Sequence, residues 1–165
     1  MSENKKGAPL PMFLGRAARP ERPAPKVHDA RAALGGRASS SALAGTLVTV
    51  TSPAGATRPG AVVFADEASV DVWVGDGRIR RVRHADVTVA HELGEHPLAA
   101  VAADARVFAS LVEGTTVRFL SPVGITLEGT LAEKCRYGAL VLAADGKLLA
   151  VSFRRLFPAV SGAAS

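Results

Sequence analysis

The densest cluster of cationic side chains outside the N-terminal region consists of four arginines, Arg78, Arg80, Arg81 and Arg83. Alternate side chains of a β-strand point to opposite faces, so Arg81 and Arg83 are predicted to share one face while Val82 points to the other. A row of guanidinium groups on a small β-domain can contact phosphates. The alternative is a solvated face whose arginines pair with nearby carboxylates, Asp71, Asp76 and Asp86.

Further cationic side chains precede this cluster. Residues 1–44 contain eight basic and three acidic residues, and their net charge of +5 is the formal charge of the whole chain. A cationic tail of this kind supplies salt-dependent affinity for phosphates. The tail residues that we predict to contact nucleic acid, together with the four arginines above, are Arg16, Arg19, Arg22 and Lys26.

No pattern in the sequence predicts catalysis. His91 and His96 are five positions apart and are followed by Pro97, whereas the helical zinc motif needs histidines at i and i+4. No nucleophile elbow or phosphate-binding glycine motif occurs. The single thiol, Cys135, has basic neighbours that could lower its pKa, although an ordinary unpaired thiol is the favoured interpretation. We expect no metal, no cofactor and no enzymatic activity.

These residues lie within an internal repeat. Residues 45–90 align with residues 114–159 at a constant offset of 69, and 13 of the 46 aligned pairs are identical. The identities fall mainly on turn formers and strand valines, which fix a backbone. An ungapped repeat predicts two structural units of the same architecture.

Each repeat is predicted to be a meander of short strands. Alternation of apolar and polar residues around Val48 and Val117 indicates strands with one buried face. Asp76-Gly77 and Asp145-Gly146 occupy equivalent positions between apolar strands, and Asp-Gly favours a two-residue type I′ hairpin. The arginine cluster of the first repeat is then carried by the strand that follows its hairpin, Ile79–His84.

The segments outside the repeats differ in character. Apolar residues recur at steps of three and four between Pro97 and Val112, which predicts an amphipathic helix packed on the repeats. Residues 1–44 are rich in proline and poor in apolar residues, so we expect disorder there, with a turn or two of helix over residues 28–35. Met12, Phe13 and Leu14 form a short apolar cluster in that segment.

The stretches VTVTSPAGATRPGAV and VRFLSPVGITLEGTL resemble the Src-homology-3-like small barrels of the KOW and Tudor types. That resemblance implies a mainly β fold of two tandem small SH3-like barrels joined by a helix. The predicted organisation is therefore a disordered basic tail, a first barrel, a linker with the helix and a second barrel, with the bounds 1–44, 45–90, 91–113 and 114–160.

The resemblance also sets the functional expectation, since many KOW proteins bind nucleic acid or components of transcription and translation. We expect a non-enzymatic protein that binds DNA or RNA through the basic tail and the arginine cluster. The alternative is a scaffold or adaptor that binds a protein partner in a bacterial-type assembly. No apolar run reaches the length of about 18 residues typical of a membrane span, and a cytoplasmic location is the default expectation.

Overall fold

The structure is a computed structural model that describes residues 27–38, 41–90 and 96–160. This part of the chain forms two antiparallel five-stranded sheets and two α-helices, so the prediction of a mainly β fold is confirmed. Helix α1 spans Val27–Ala33. The strands of the first sheet are β1 (Leu47–Thr51), β2 (Thr57–Ala65), β3 (Val70–Val74), β4 (Ile79–Val82) and β5 (Val87–Val89).

The second half of the described chain repeats this pattern. Helix α2 spans Ala99–Ser110. The strands of the second sheet are β6 (Thr116–Leu120), β7 (Thr126–Lys134), β8 (Gly138–Ala143), β9 (Leu148–Ser152) and β10 (Leu156–Pro158). In each sheet a single 3-10 turn separates the last two strands.

The two sheets have the same topology. The strand order is β4-β3-β2-β1-β5 in the first sheet, and the same order at an offset of five strands, β9-β8-β7-β6-β10, in the second. Their long second strands even share a register shift, between Val62 and Phe64 and between Leu131 and Glu133. The outer strands of each sheet are not paired with each other, so neither sheet is closed and tandem closed barrels are not confirmed.

The Asp-Gly hairpins are present, but their turn type differs from the prediction. Only the glycine has a positive φ, 77° at Gly77 and 81° at Gly146, whereas a type I′ turn needs positive φ at both central residues. The amide of Gly77 donates to the carbonyl of Val74 over 3.0 Å, and the Asp76 carboxylate accepts from the amide of Arg78 over 3.0 Å. A three-residue loop ending in the left-handed glycine therefore connects the strands.

Helix α2 lies between the two sheets and confirms the helix predicted after the first repeat. Its buried residues pack against Ala61 and Val63 of β2 and against the buried residues of the second sheet. At its C-terminus the ammonium of Lys134 donates to the carbonyls of Phe108 and Leu111 over 2.9 Å each. This ammonium satisfies carbonyls that the end of a helix leaves unpaired.

Helix α1 lies within residues 1–44, the segment that the sequence predicts to be disordered. Its position matches the short helix that the sequence predicts over residues 28–35. Leu34, just after the helix, is buried with Cys135 and Leu140 of the second repeat. Arg31 forms a bidentate ion pair with Glu133 at 2.5 and 2.8 Å. The helix that precedes the first repeat is thus packed on the second sheet.

Candidate anion-binding cleft

A cleft of about 500 Å³ opens at one end of the first sheet. Its lining combines apolar side chains, among them Val50, Val74 and Val82, with basic ones. The charged residues that line it are four arginines and one carboxylate, Arg58, Arg80, Arg81, Arg83 and Asp86. The cleft therefore carries a net positive charge next to an apolar surface.

Strand register places two of these arginines on the valine side of the sheet. Arg58 pairs with Val50 between β2 and β1. Arg80 pairs with the fully buried Val72 between β4 and β3. Directly paired residues share a face, so both guanidinium groups extend from the edge of the apolar interior of the first repeat.

Arg81 lies on the opposite face, as alternation requires. It is paired in register with Asp71, and its Nε donates to Oδ1 of that carboxylate over 3.0 Å. A second nitrogen, Nη2, donates to the hydroxyl of Tyr137 over 3.4 Å. The hydrogen bond and charge of Asp71 raise the pKa of Arg81. Arg81 therefore belongs to a contact between the two repeats as well as to the wall of the cleft.

Arg136 completes that contact from the second repeat. Its Nε donates to the second oxygen of Asp71 over 2.7 Å, and its Nη1 donates to Asp66 over 2.8 Å. The guanidinium carbon lies 4.3 Å from the centre of the Phe64 ring. Since Asp71 is fully buried, this network holds an anion that water cannot solvate.

Two further arginines of the predicted cluster pair with carboxylates that are less buried than Asp71. Arg83 forms a bidentate ion pair with Asp86 at 2.9 and 3.1 Å, which lowers the pKa of that carboxyl. Arg80 lies 3.6 Å from Asp76. The carboxylates that the sequence offers as alternative partners are therefore in place for Arg80, Arg81 and Arg83. The fourth, Arg78, is exposed and directly follows the hairpin loop.

Arg58 is the cleft residue that sequence reasoning missed. Among the described residues it forms no ion pair with a carboxylate, and it is exposed on β2. In the aligned second repeat, Leu127 occupies the position of Arg58, and Leu149 occupies the position of Arg80. A position-by-position comparison of the repeats, rather than a search for dense clusters, would have found it.

The equivalent end of the second sheet has different chemistry. The counterparts of Arg58, Arg80 and Arg83 are Leu127, Leu149 and Ser152, and the counterparts of Val50 and Ala56 are the larger Phe119 and Ile125. Phe119 is buried there with 1% exposure. The same backbone thus carries an arginine-rimmed cleft in one copy and a bulkier end in the other, where the counterpart of Asp86 is Arg155.

None of the described residues that line the cleft is aromatic. Two aromatic side chains of the repeats lie away from the cleft and contact each other. Trp73 meets Phe153 edge-to-face, with ring centres 5.8 Å apart, and Phe153 is fully buried. The guanidinium of Arg154 lies 5.4 Å from the Trp73 ring. Base stacking, which single-strand binders use, has no platform in this cleft.

The predicted tail residues and one of the two histidines lie outside the part of the chain that the structure describes. Arg16, Arg19, Arg22 and Lys26 lie outside the described residues, as does His91. His96 accepts a hydrogen bond from the amide of Leu98 over 3.0 Å. Within the described ranges, no group of three or more histidine, cysteine or acidic side chains is arranged to hold a metal.

The thiol of Cys135 is buried, with 2% exposure, and burial raises its pKa to about 11. Its basic sequence neighbours therefore do not activate it, because Lys134 and Arg136 direct their charges elsewhere. In the part of the chain that the structure describes, no helix has the length and apolar character needed to cross a membrane.

Neither models of known protein families nor curated proteins give a significant match to this chain.

Proposed function

We propose that the protein is a non-enzymatic adaptor whose first repeat binds an acidic, partly apolar segment of a protein partner. The observation that carries this proposal is the pairing of arginines with valines in one cleft of about 500 Å³. Guanidinium groups form strong bidentate hydrogen bonds with carboxylates. The valines offer burial to apolar side chains that share a face of the same segment with the carboxylates.

An extended peptide suits this site because β4, the strand that supplies Arg80 and Arg81, is an outer strand of its sheet. An outer strand has unpaired backbone groups to which an extended chain can add as a further strand. Carboxylates of the added segment would then compete with Asp76 and Asp86 for Arg80 and Arg83. The resemblance to SH3-like small barrels belongs to the same proposal, supported by the five-strand meander and the 3-10 turn before the last strand.

Nucleic-acid binding is the second candidate, and the distribution of charge favours it. All of the formal charge of +5 lies in residues 1–44, and Arg58 is unpaired among the described carboxylates. Phosphate contacts need no aromatic platform, so such binding would be electrostatic and independent of sequence.

Competition binding to the full chain separates the two candidates. One probe is a fluorescent peptide in which pairs of glutamates alternate with pairs of valines, so that each face of the extended chain carries both residue types. The other is a single-stranded oligonucleotide of equal charge, and each is measured at about 50 and 200 mM salt. The proposal expects the peptide to bind more tightly and a glutamate–serine peptide of equal charge to bind at least tenfold more weakly. Tighter binding of the oligonucleotide would favour the second candidate, and equal binding of both peptides would exclude the apolar contribution.

A further inference from the structure

A second, smaller cavity distinguishes the two repeats. It has a volume of about 170 Å³ and lies in the first repeat at the 3-10 turn, apart from the cleft. Its walls are mainly apolar and include Val48, Val62, Val87 and Val89, together with Leu43 and His84. Val89 and Leu43 are 49% and 45% exposed, so part of the cavity wall is open to solvent.

The equivalent place in the second repeat is filled by helix α2. The counterparts of Val48, Val62 and Val87 are Val117, Leu131 and Leu156. All three are at most 1% exposed and belong to one core cluster with Phe108 and Leu111, at the C-terminal end of α2. Phe108 also contacts Phe153, the counterpart of His84, with ring centres 6.4 Å apart.

The first repeat lacks residues that could play this part. At the offset of 69, Phe108 corresponds to Ser39 and Leu111 corresponds to Ala42, both of which are small. Helix α1, which precedes this repeat, packs instead on the second sheet through Leu34. The apolar end of the first repeat therefore has no counterpart of Phe108 among the described residues.

We propose that the apolar cluster Met12-Phe13-Leu14 of the same chain occupies this cavity, with Phe13 in the position that Phe108 has in the second repeat. A cavity of about 150 Å³ lined by apolar side chains accommodates a benzene ring, so the volume of about 170 Å³ suits a phenyl group. No other three consecutive residues before Val27 are all large and apolar.

The connection between this segment and the cavity is long enough. Twelve residues lie between Leu14 and Val27, and an extended chain of that length spans about 40 Å. Three successive contacts connect the residues that follow α1 to the cavity wall. Gly36 accepts from the amide of Arg136, Arg136 binds Asp66, and the carbonyl of Asp66 lies 2.6 Å from His84 of the cavity.

Disulfide trapping in the full chain tests the proposal. The variant combines Leu14→Cys and Val89→Cys in a Cys135→Ala background, which removes the natural thiol and keeps the Phe13 ring. The matched control carries Ala18→Cys instead of Leu14→Cys. Residue 18 is closer in sequence to the described fold, so chain length alone would favour the control. Disulfide formation in the presence of oxidised glutathione is followed by mass spectrometry and by mobility on a non-reducing gel.

We expect the Leu14→Cys variant to form a disulfide within one molecule at least tenfold faster than the control. Equal rates would overturn the proposal. Fast closure between two molecules would also overturn it, because the occupant would then be the segment of a second copy.

A single substitution outside the described fold gives an independent readout. In Phe13→Ser, the backbone amides around the cavity, such as those of Val62 and Ala90, are expected to exchange with deuterium at least threefold faster than in the parent chain. The Ala18→Ser control should match the parent. Unchanged exchange in Phe13→Ser would show that residues 12–14 do not cover the cavity and would overturn the proposal, since this change leaves the fold intact.

Discussion

Asp71 and Arg136 are 65 residues apart in sequence, yet Nε of Arg136 donates to Oδ2 of Asp71 over 2.7 Å. The carboxylate is fully buried and has Arg81 on its other oxygen. Two guanidinium groups from different repeats thus share one anion. This contact joins the repeats, and it shows that part of the arginine cluster has a structural role.

Replacing Asp71 by asparagine is expected to lower the free energy of unfolding by about 3 kcal/mol, because a buried pair that loses one member leaves an uncompensated charge. Urea denaturation followed by circular dichroism measures this difference. Asp145→Asn is the control, since Asp145 is exposed and lies 3.6 Å from Lys147. A loss in Asp71→Asn no greater than in the control would contradict the structural role.

Asp66 predicts a dependence of stability on pH. The hydrogen bond from Arg136 and the amide of Ser69 lower its pKa from 3.8 to about 2. Because the folded-state pKa lies below the unfolded value, the contribution of Asp66 is fully present above about pH 4 and is lost as the pH falls toward 2. Carboxyl chemical shifts in a titration by NMR should place the midpoint of Asp66 near pH 2, and Arg136→Gln should move it upward. A midpoint that Arg136→Gln leaves unchanged would rule out the assigned cause.

Exchanging residues between the repeats tests the cleft. The double variant Arg58→Leu and Arg80→Leu replaces each arginine by the leucine found at the aligned position of the second repeat. The fold should persist, because the second sheet carries leucines at these positions, while affinity for the glutamate–valine peptide should fall at least tenfold. Isothermal titration calorimetry measures that affinity.

A control variant removes the same charge from the second repeat, through Lys147→Leu and Arg155→Leu. It should bind the peptide within about twofold of the parent, because these residues do not line the cleft. Equal losses in the two double variants would mean that net charge, and not the cleft, determines binding.

Lys134 is 5% exposed, and its ammonium donates to carbonyls at the end of α2. Lys134→Met should lower the free energy of unfolding by about 3 kcal/mol, since a buried acceptor left unsatisfied costs about 1–3 kcal/mol. Thermal unfolding by calorimetry tests this. Lys147→Met, on an exposed side chain, should change stability by less than about 0.5 kcal/mol, and a similar change in both variants would remove the special role of Lys134.

The Cys135 thiol should resist modification while the chain is folded. Burial raises its pKa to about 11, so at pH 8 the reactive thiolate is scarce and shielded. A chromogenic disulfide reagent should react at the rate of unfolding, and urea should accelerate the reaction. Immediate stoichiometric reaction of the native protein would contradict the buried position.

Sequence reasoning predicted the strands, the hairpin positions and α2, because local periodicity and glycine placement determine them. It predicted the wrong turn type, since Asp76 keeps a negative φ in a three-residue loop. The partners of Asp71 could not be predicted, because a contact between Asp71 and Arg136 depends on how the two repeats meet. Arg58 escaped notice because it is isolated in sequence and joins the other arginines only through strand pairing.

The placement of the helices has a consequence for the history of a duplicated chain. Helix α1 precedes the first repeat but packs on the second sheet, and α2 precedes the second repeat but also covers β2 of the first. Neither copy could be deleted without exposing apolar surface on the other. Each copy thus depends on the other to cover its apolar surface. Arg58 and Leu127, which differ between the copies at the ends of the sheets, lie outside this shared core.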